Sequence, residues 1–156
     1  MTSQSAACTE TAFTIDTSSI KFGPGITREA GYELDRLGAS RVMVVTDPRM
    51  AGSAAVNTAT NSLKQANVDF AVFDRVSVEP TDVSFKEAIE FAVNGRFDGF
   101  LPVGGGSSID TAKAANLYST YPADFLEYVN APIGEGTPVP GDLKPLVAVP
   151  TTAGTG

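Results

Sequence analysis

Short apolar runs alternate along the chain with longer stretches in which apolar residues recur at helical spacing. The run Val42 to Val45 is continuously apolar and, apart from one methionine, β-branched, which is the pattern of a strand buried on both faces of a sheet. Similar runs follow further along the chain. The pattern therefore predicts strands at 42–45, 68–73, 100–103 and 146–149.

The stretches between these runs have the spacing of amphipathic helices. In 26–37 the apolar positions share one helix face, and Gly38 follows as a helix-ending glycine. The clearest apolar stripe lies in 85–93, where Ser84 and Glu87 have the spacing of a capping box. The helices predicted in this way cover 26–37, 50–65, 84–95 and 107–117, with a further short helix at 124–129.

Alternating strands and helices with short connections are typical of a parallel sheet, because parallel strands need crossover connections. The predicted fold class is α/β, with a Rossmann-like parallel sheet covered by helices on both faces. Residues 1–15 are expected to form a flexible tail and residues 16–156 one domain. The pattern loosens in 121–145, which is rich in proline and is interpreted as a surface excursion, either ordered or mobile.

Composition narrows the function classes. The 156 residues carry a net charge of −7 and 42% of them are hydrophobic, as in a folded domain without a basic face for nucleic acid. No apolar run approaches the roughly 20 residues needed to cross a bilayer, so no membrane partner is expected. The single cysteine, Cys8, cannot close an internal disulfide, and a reducing, cytoplasmic compartment is therefore expected.

Histidine is absent from the sequence. A metal site built from this chain would have to use Asp, Glu or Cys, and no acidic cluster has the spacing of a calcium loop or of a two-carboxylate site. Catalytic arrangements that need an imidazole, such as Ser-His-Asp, are excluded for the same reason. The sequence therefore predicts no metal ligand in this chain.

The segment GGGSSIDTAK, residues 104–113, joins a predicted strand to a predicted helix. Gly104, Gly105 and Gly106 would let a ligand approach the backbone, and the helix start offers unpaired N–H groups at the positive end of its dipole. Ser107 adds a hydroxyl donor, so the segment predicts a phosphate site. In the alternative interpretation the glycines only form a tight turn and Ser107 only caps the helix. The segment matches neither G-x-G-x-x-G nor the Walker pattern.

Polar residues also follow two other predicted strands. Asp47 follows the first strand, where a carboxylate can accept hydrogen bonds from both ribose hydroxyls of an adenosine and repel a 2′-phosphate, favouring NAD over NADP. A compatible alternative is that Asp47 caps the next helix. Asp110 and Lys113 have the spacing of a solvated ion pair. The loop after the last strand carries hydroxyls that could bind phosphate or a nicotinamide amide, on Thr151, Thr152 and Thr155.

Taken together, GGGSSIDTAK, Asp47 after a buried strand and PTTAGTG at 150–156 resemble the iron-containing, or group III, alcohol dehydrogenase family. The resemblance covers essentially everything after the predicted tail. Three longer strings are similar to its hydroxyacid-oxoacid transhydrogenase branch, namely VEPTDVSFKEAIEFA at 78–92, KAANLY at 113–118 and DFLEYVNAPIG at 124–134.

The resemblance implies a two-domain oxidoreductase. Its N-terminal α/β domain would bind NAD, and its helical C-terminal domain would hold iron or another divalent metal through aspartate and histidine side chains. By the same resemblance, Asp47 would bind the adenosine ribose, residues 104–107 the pyrophosphate, and Asp110 would lie near the nicotinamide. The threonines of the last loop would line the cofactor cleft.

The branch transfers a hydride from 4-hydroxybutyrate through nicotinamide to 2-oxoglutarate, yielding succinate semialdehyde and 2-hydroxyglutarate. Because the metal ligands of the family have no counterpart in this sequence, the chain is expected to be the N-terminal part of such an enzyme, without a catalytic residue and inactive alone. Small hydroxy and oxo acids and a homo-oligomer are the expected partners. Animal-type members imply a mitochondrial location as the alternative compartment. A non-catalytic nucleotide-binding module or subunit is the alternative function.

Overall fold

The computed structural model describes residues 18–153. The predicted tail, Cys8 and Thr155 lie outside this range. Within it, four parallel strands form one sheet flanked by helices, so the predicted α/β class is confirmed. No helix in the described range combines the length and apolarity needed to cross a membrane.

Strands and helices alternate along the described chain after an initial 3₁₀ turn at Ile26–Glu29. The strands are β1 (Arg41–Val45), β2 (Asp69–Phe73), β3 (Gly99–Gly104) and β4 (Val149–Pro150). The helices are α1 (Ala30–Arg36), α2 (Ala54–Gln65), α3 (Asp82–Gly95) and α4 (Gly106–Thr120).

The strand order across the sheet is β2-β1-β3-β4, and every pairing is parallel. Val45 at the end of β1 lies beside Phe73 of β2 on one side and Pro102 of β3 on the other. The chain thus winds from β1 out to β2 and then crosses back past β1 to β3. Open α/β sheets bind ligands at such a reversal, outside the carboxyl ends of the strands.

Both faces of the sheet are covered by apolar side chains. Val42 and Val44 of β1 pack in a cluster with residues of α1 and α2, whereas Met43 and Val45 pack in a second cluster with residues of α3 and α4. Every residue of β3 is buried. Successive side chains of a strand point to opposite faces, which explains why these central strands are apolar at nearly every position.

The first predicted helix ends as expected but begins differently. Its first turn is the 3₁₀ turn, and α1 follows. Gly38 has a φ of +86°, a left-handed conformation that glycine adopts at little cost. The Ala39 N–H donates to the Leu34 carbonyl at 2.9 Å, which closes the helix end. Leu37, which helical spacing assigns to the apolar face, is instead 47% exposed.

The predicted helix 50–65 begins at Ala54 rather than at position 50. Asp47 Oδ1 accepts hydrogen bonds from two following backbone amides, at 2.8 and 3.1 Å, and so closes a separate turn before the helix. Ser53 then serves as the N-cap of α2. The predicted start was wrong because residues 48–52 form turns, in which the Ser53 N–H donates to the Met50 carbonyl at 2.8 Å, and the helix begins only after them.

The capping box of α3 is present, but Thr81 and Ser84 form it rather than the predicted pair of Ser84 and Glu87. Thr81 is the N-cap, and Thr81 and Ser84 each accept a hydrogen bond from the other's backbone amide. Thr81 has the extended conformation that an N-cap requires, whereas Ser84 is already the third residue of the helix. Glu87 instead forms an ion pair with Arg75 at 2.6 Å.

The excursion after α4 contains turns rather than the predicted helix at 124–129. The Leu126 carbonyl accepts a hydrogen bond from Glu135 at 3.0 Å, and the Val129 carbonyl accepts one from Gly136 at 2.9 Å. These carbonyls therefore bind a later part of the loop instead of continuing a helix. Of the two interpretations of the excursion, the ordered one agrees with this hydrogen bonding.

The last predicted strand is interrupted. Leu146 forms an isolated bridge with Phe100, and pairing with β3 resumes only at β4. Asn116 of α4 is 2% exposed and holds the chain before this bridge, because its amide donates to the Lys144 carbonyl at 2.8 Å and accepts from the Lys144 N–H at 3.2 Å.

We expect Asn116→Leu to lower the free energy of unfolding by about 2–4 kcal/mol, because it leaves a backbone donor and a backbone acceptor without partners. Urea denaturation followed by circular dichroism measures this loss. Asn61→Leu is the matched control, since Asn61 is an exposed residue of α2. Equal stability of the two variants would show that the Asn116 amide does not hold this segment.

Asp98 joins the amino ends of β1 and β3. Its carboxylate accepts hydrogen bonds from the Ser40 hydroxyl at 2.5 Å and from the Arg41 N–H at 2.7 Å. Partial burial acts to raise the pKa of Asp98, but the hydrogen bonds from Ser40 and Arg41 outweigh burial and hold this pKa below its ordinary value of 3.8.

A group whose pKa is lower in the folded state stabilises the protein above its unfolded pKa and loses this effect as the pH falls through its folded pKa. We therefore expect the difference in unfolding free energy between the wild type and Asp98→Asn to be full above about pH 5 and to shrink below about pH 4. Urea titrations from pH 7 to pH 3 measure it. Parallel pH profiles would contradict this role.

Candidate functional site

Three loops meet at the carboxyl edge of the sheet, next to the reversal between β1 and β3. Asp47 follows β1, Gly104–Gly106 link β3 to α4, and Thr151 and Thr152 follow β4. These segments are far apart in the sequence, but neighbouring parallel strands end at the same edge of a sheet. The structure thus brings together most of the residues that the sequence predicted for a nucleotide site.

Gly104 lies where a side chain has no room. A Cβ at this position would be 2.4 Å from the Ser108 hydroxyl oxygen, and Ser108 is itself buried. The same Cβ position is 4.0 Å from Oδ2 of Asp47. The Cβ position of Gly104 is therefore close both to α4 and to the Asp47 carboxylate.

The start of α4 is open. Gly105 is its N-cap residue, and no side chain caps the helix within the described range. A Cβ added to Gly106 would meet nothing within 4 Å. Because the first amides of a helix have no partners within it and lie at the positive end of its dipole, this open surface suits an anion. Ser107 lies inside the helix, so the alternative in which it caps α4 is wrong.

The loop after β4 covers one side of the glycine turn. The Thr151 N–H donates to the Gly104 carbonyl at 2.9 Å. The Thr152 side chain comes within 3.3 Å of the position that a Cβ of Gly105 would occupy. Both threonines are exposed, so their hydroxyls are accessible beside the helix start.

The two carboxylate oxygens of Asp47 have different environments. Oδ1 accepts the two backbone hydrogen bonds that close the turn after β1. Oδ2 accepts none from the described residues and lies on the side of Gly104. The alternative in which Asp47 caps the next helix is therefore wrong, because Ser53 caps α2. Asp47 instead caps a separate turn through Oδ1, which leaves Oδ2 for a ligand.

Asp110 lies one turn further along α4. Its carboxylate is 3.9 Å from the Lys113 ammonium group, and the two side chains are 64% and 65% exposed. This is the solvated ion pair that the spacing predicted.

Sequence reasoning missed Thr46, a fully buried residue between β1 and Asp47. Its hydroxyl donates to the Val103 carbonyl of β3 at 2.8 Å. The available signal was a polar residue directly after an otherwise apolar run, at a position that continues the buried strand.

The donors and acceptors at this edge are backbone amides, hydroxyl groups and one carboxylate. This set suits phosphate oxygens and ribose hydroxyls. No group of three or more His, Cys, Asp or Glu residues in 18–153 is placed to hold a metal ion. The described part of the chain thus fits a nucleotide but offers no site for a catalytic metal.

Known proteins resemble this chain over nearly its whole length. A sequence profile described as iron-containing alcohol dehydrogenase matches residues 17–156. The mitochondrial hydroxyacid-oxoacid transhydrogenase of Bos taurus is 55% identical over 155 residues, which are 99% of this chain and 33% of that protein. The chain thus spans about a third of the length of such relatives.

Solved structures show the same fold. The alcohol dehydrogenase from Oenococcus oeni is 33% identical with a TM-score of 0.72, and the match covers 87% of this chain and 35% of that one. The NADH-dependent butanol dehydrogenase A from Thermotoga maritima is 26% identical with a TM-score of 0.68, over 74% of this chain and 29% of that one. The resemblance seen in the motifs is confirmed, and the chain belongs to the iron-containing alcohol dehydrogenase family.

Proposed function

We propose that this chain supplies the NAD-binding part of a metal-dependent oxidoreductase that transfers a hydride between hydroxy acids and oxo acids. One observation carries the proposal: the start of α4 has no side-chain cap within the described residues, and Oδ2 of Asp47 lies 4.0 Å from the Cβ position of Gly104, two residues before that helix. A dinucleotide needs both features, an anion cradle for its pyrophosphate and a carboxylate for its ribose.

In this proposal the backbone of Gly104–Gly106 and the start of α4 hold the pyrophosphate, with Ser107 donating a further hydrogen bond. The open space at Gly106 supports this arrangement, because a phosphate must come close to the backbone to reach the helix amides. The loop threonines Thr151, Thr152 and Thr155 would complete the cleft. The roles of Thr151 and Thr152 are supported by the position of these two residues beside the glycine turn.

Asp47 would accept hydrogen bonds from the adenosine ribose through Oδ2. Its Oδ1 is held by the turn, so the free oxygen has a defined direction before the ligand arrives. A 2′-phosphate would bring a second negative charge against this carboxylate, which favours NAD over NADP. Asp110 would lie toward the nicotinamide end, further along α4.

Bound NAD would accept and return the hydride, and the metal named in the family description would polarise the alcohol or carbonyl oxygen of the substrate. The sequence contains no histidine, so imidazole ligands for that metal must come from outside these residues. This chain's own residues would bind and orient the cofactor. We expect the chain alone to be inactive.

The substrate proposal is supported by the transhydrogenase relative, whose name specifies hydroxy and oxo acids. The donor would be 4-hydroxybutyrate, which is oxidised to succinate semialdehyde, and the acceptor 2-oxoglutarate, which is reduced to 2-hydroxyglutarate. The same name supports the mitochondrial alternative for the compartment, while the cytoplasmic location and the homo-oligomer stay predictions.

We expect the wild-type chain to bind NAD more tightly than NADP, as measured by isothermal titration calorimetry. Asp47→Ala should weaken NAD binding about 10- to 100-fold, because it removes hydrogen bonds to a charged acceptor. Asp47→Asn is the matched control, since an amide oxygen can still close the turn but carries no charge. It should reduce the preference for NAD over NADP. Equal affinities for both dinucleotides in all three proteins would refute the ribose role.

A second prediction concerns the open surface at Gly106. Gly106→Ala should leave the free energy of unfolding unchanged or raise it by up to about 1 kcal/mol, because the added methyl group meets no protein atom and alanine has less conformational freedom than glycine in the unfolded chain. It should nevertheless weaken NAD binding about tenfold or more, because the methyl group would stand where the pyrophosphate approaches the backbone. Calorimetric titration and urea denaturation measure the two effects.

Gly52→Ala provides the control for this variant. A Cβ at Gly52 also meets nothing within 4 Å, but Gly52 lies in the turn before α2 and has no part in the proposed cradle. It should change neither quantity. Unchanged NAD affinity in Gly106→Ala would argue against a pyrophosphate at this helix start.

A further inference from the structure

We propose that Thr46 is a positioning residue of this site. Its hydroxyl would hold the end of β1 against β3, so that the Asp47 carboxylate stays at the correct distance from the glycine turn. The inference rests on the proposed function, because it concerns how the proposed NAD site is kept in shape.

Thr46 is bound to three separate segments. Its hydroxyl donates to the Val103 carbonyl of β3 at 2.8 Å, and its N–H donates to the Phe73 carbonyl of β2 at 2.9 Å. Its own carbonyl accepts a hydrogen bond from the Val76 N–H in the loop after β2, at 3.3 Å. All polar groups of this fully buried residue are therefore used to join neighbouring segments at the carboxyl edge of the sheet.

The side-chain bond extends the pairing of β1 with β3. The backbone register between these strands ends at Val45 and Pro102, and Val103 is the next residue of β3. Val103 is fully buried. Without the hydrogen bond from the Thr46 hydroxyl, its carbonyl would be desolvated with no partner on this side, which destabilises the folded state. The hydroxyl thus continues the strand contact at the point where β1 turns away.

The two bonded residues directly precede the two halves of the site. Thr46 precedes Asp47, and Val103 precedes Gly104. Because each pair is joined by one planar peptide, fixing Thr46 to Val103 restrains the carboxylate relative to the glycine turn. The present separation, 4.0 Å from Oδ2 to the Cβ position of Gly104, depends on this restraint.

Threonines elsewhere in the fold provide a contrast. The Thr60 hydroxyl donates to the Val56 carbonyl at 3.0 Å, and the Thr111 hydroxyl donates to the Ser107 carbonyl at 2.7 Å. In both cases donor and acceptor belong to the same helix. Thr60 is therefore a control in which a buried hydroxyl is lost without separating two strands.

A double-mutant cycle with Asp47 tests the proposal. NAD affinity is measured by calorimetry for the wild type, Thr46→Val, Asp47→Ala and the double variant. If Thr46 acts through the carboxylate, Thr46→Val weakens NAD binding about tenfold in the wild type and less than about twofold when Asp47 is alanine. Thr60→Val leaves NAD affinity unchanged in both backgrounds.

If Thr46→Val does not fold, the NAD affinities of Thr46→Ser and Thr46→Ala are compared instead. Both lose the methyl group, but only serine keeps the hydroxyl. Serine should retain NAD affinity to within about twofold of the wild type, and alanine should lose about tenfold. Thermal unfolding of each variant separates lost stability from lost affinity.

The outcomes are distinct. Equal weakening of NAD binding in both Asp47 backgrounds, or equal affinities of the serine and alanine variants, would overturn the positioning role while leaving the proposed function intact. A wild type that binds no NAD would overturn the proposed function and this inference together.

Discussion

The parallel contact between β1 and β3 is the interaction on which the rest of the structure depends. Both strands are buried on their two faces, and the chain reverses its winding direction between them. Their carboxyl ends consequently leave the sheet side by side, with helices packed above and below. Asp47 and the glycine turn extend directly from these ends, so the geometry of the candidate site follows from the register of one strand pair.

Recognition of an anion by this chain would not rely on its overall charge. The chain carries a net charge of −7, and Lys113 near the start of α4 is paired with Asp110. The attraction would instead come from backbone amides and the helix dipole. These groups are fixed by the helix itself and need no side-chain ordering, whereas the Asp47 carboxylate beside them would select the sugar rather than attract the phosphate.

Strands that are buried on both faces of the sheet were predictable from the sequence, because a short, continuously apolar run is stable as a strand only where both of its faces are covered. β1 and β3 are of this kind, and the glycine turn between β3 and α4 was predictable from the three consecutive glycines themselves. Errors arose where several polar residues could begin or end the same element. Ser53 rather than Asp47 is the N-cap of α2, Thr81 takes the cap position expected of Ser84, and the carbonyls of residues 126 and 129 bind later loop amides where a helix at 124–129 was predicted. Each of these choices depends on backbone conformation rather than on residue type.

The sequence by itself determined the fold class, the position of the glycine turn and the residue types available for a ligand, because hydrophobic periodicity and glycine placement are local properties. Only the tertiary structure decided that Oδ2 of Asp47 lies near Gly104, that Thr152 lies beside Gly105, and that Thr46 joins β1 to β3. These relations depend on strand order and register. Strand order and register are set by packing across the whole sheet, and no short stretch of sequence contains that information.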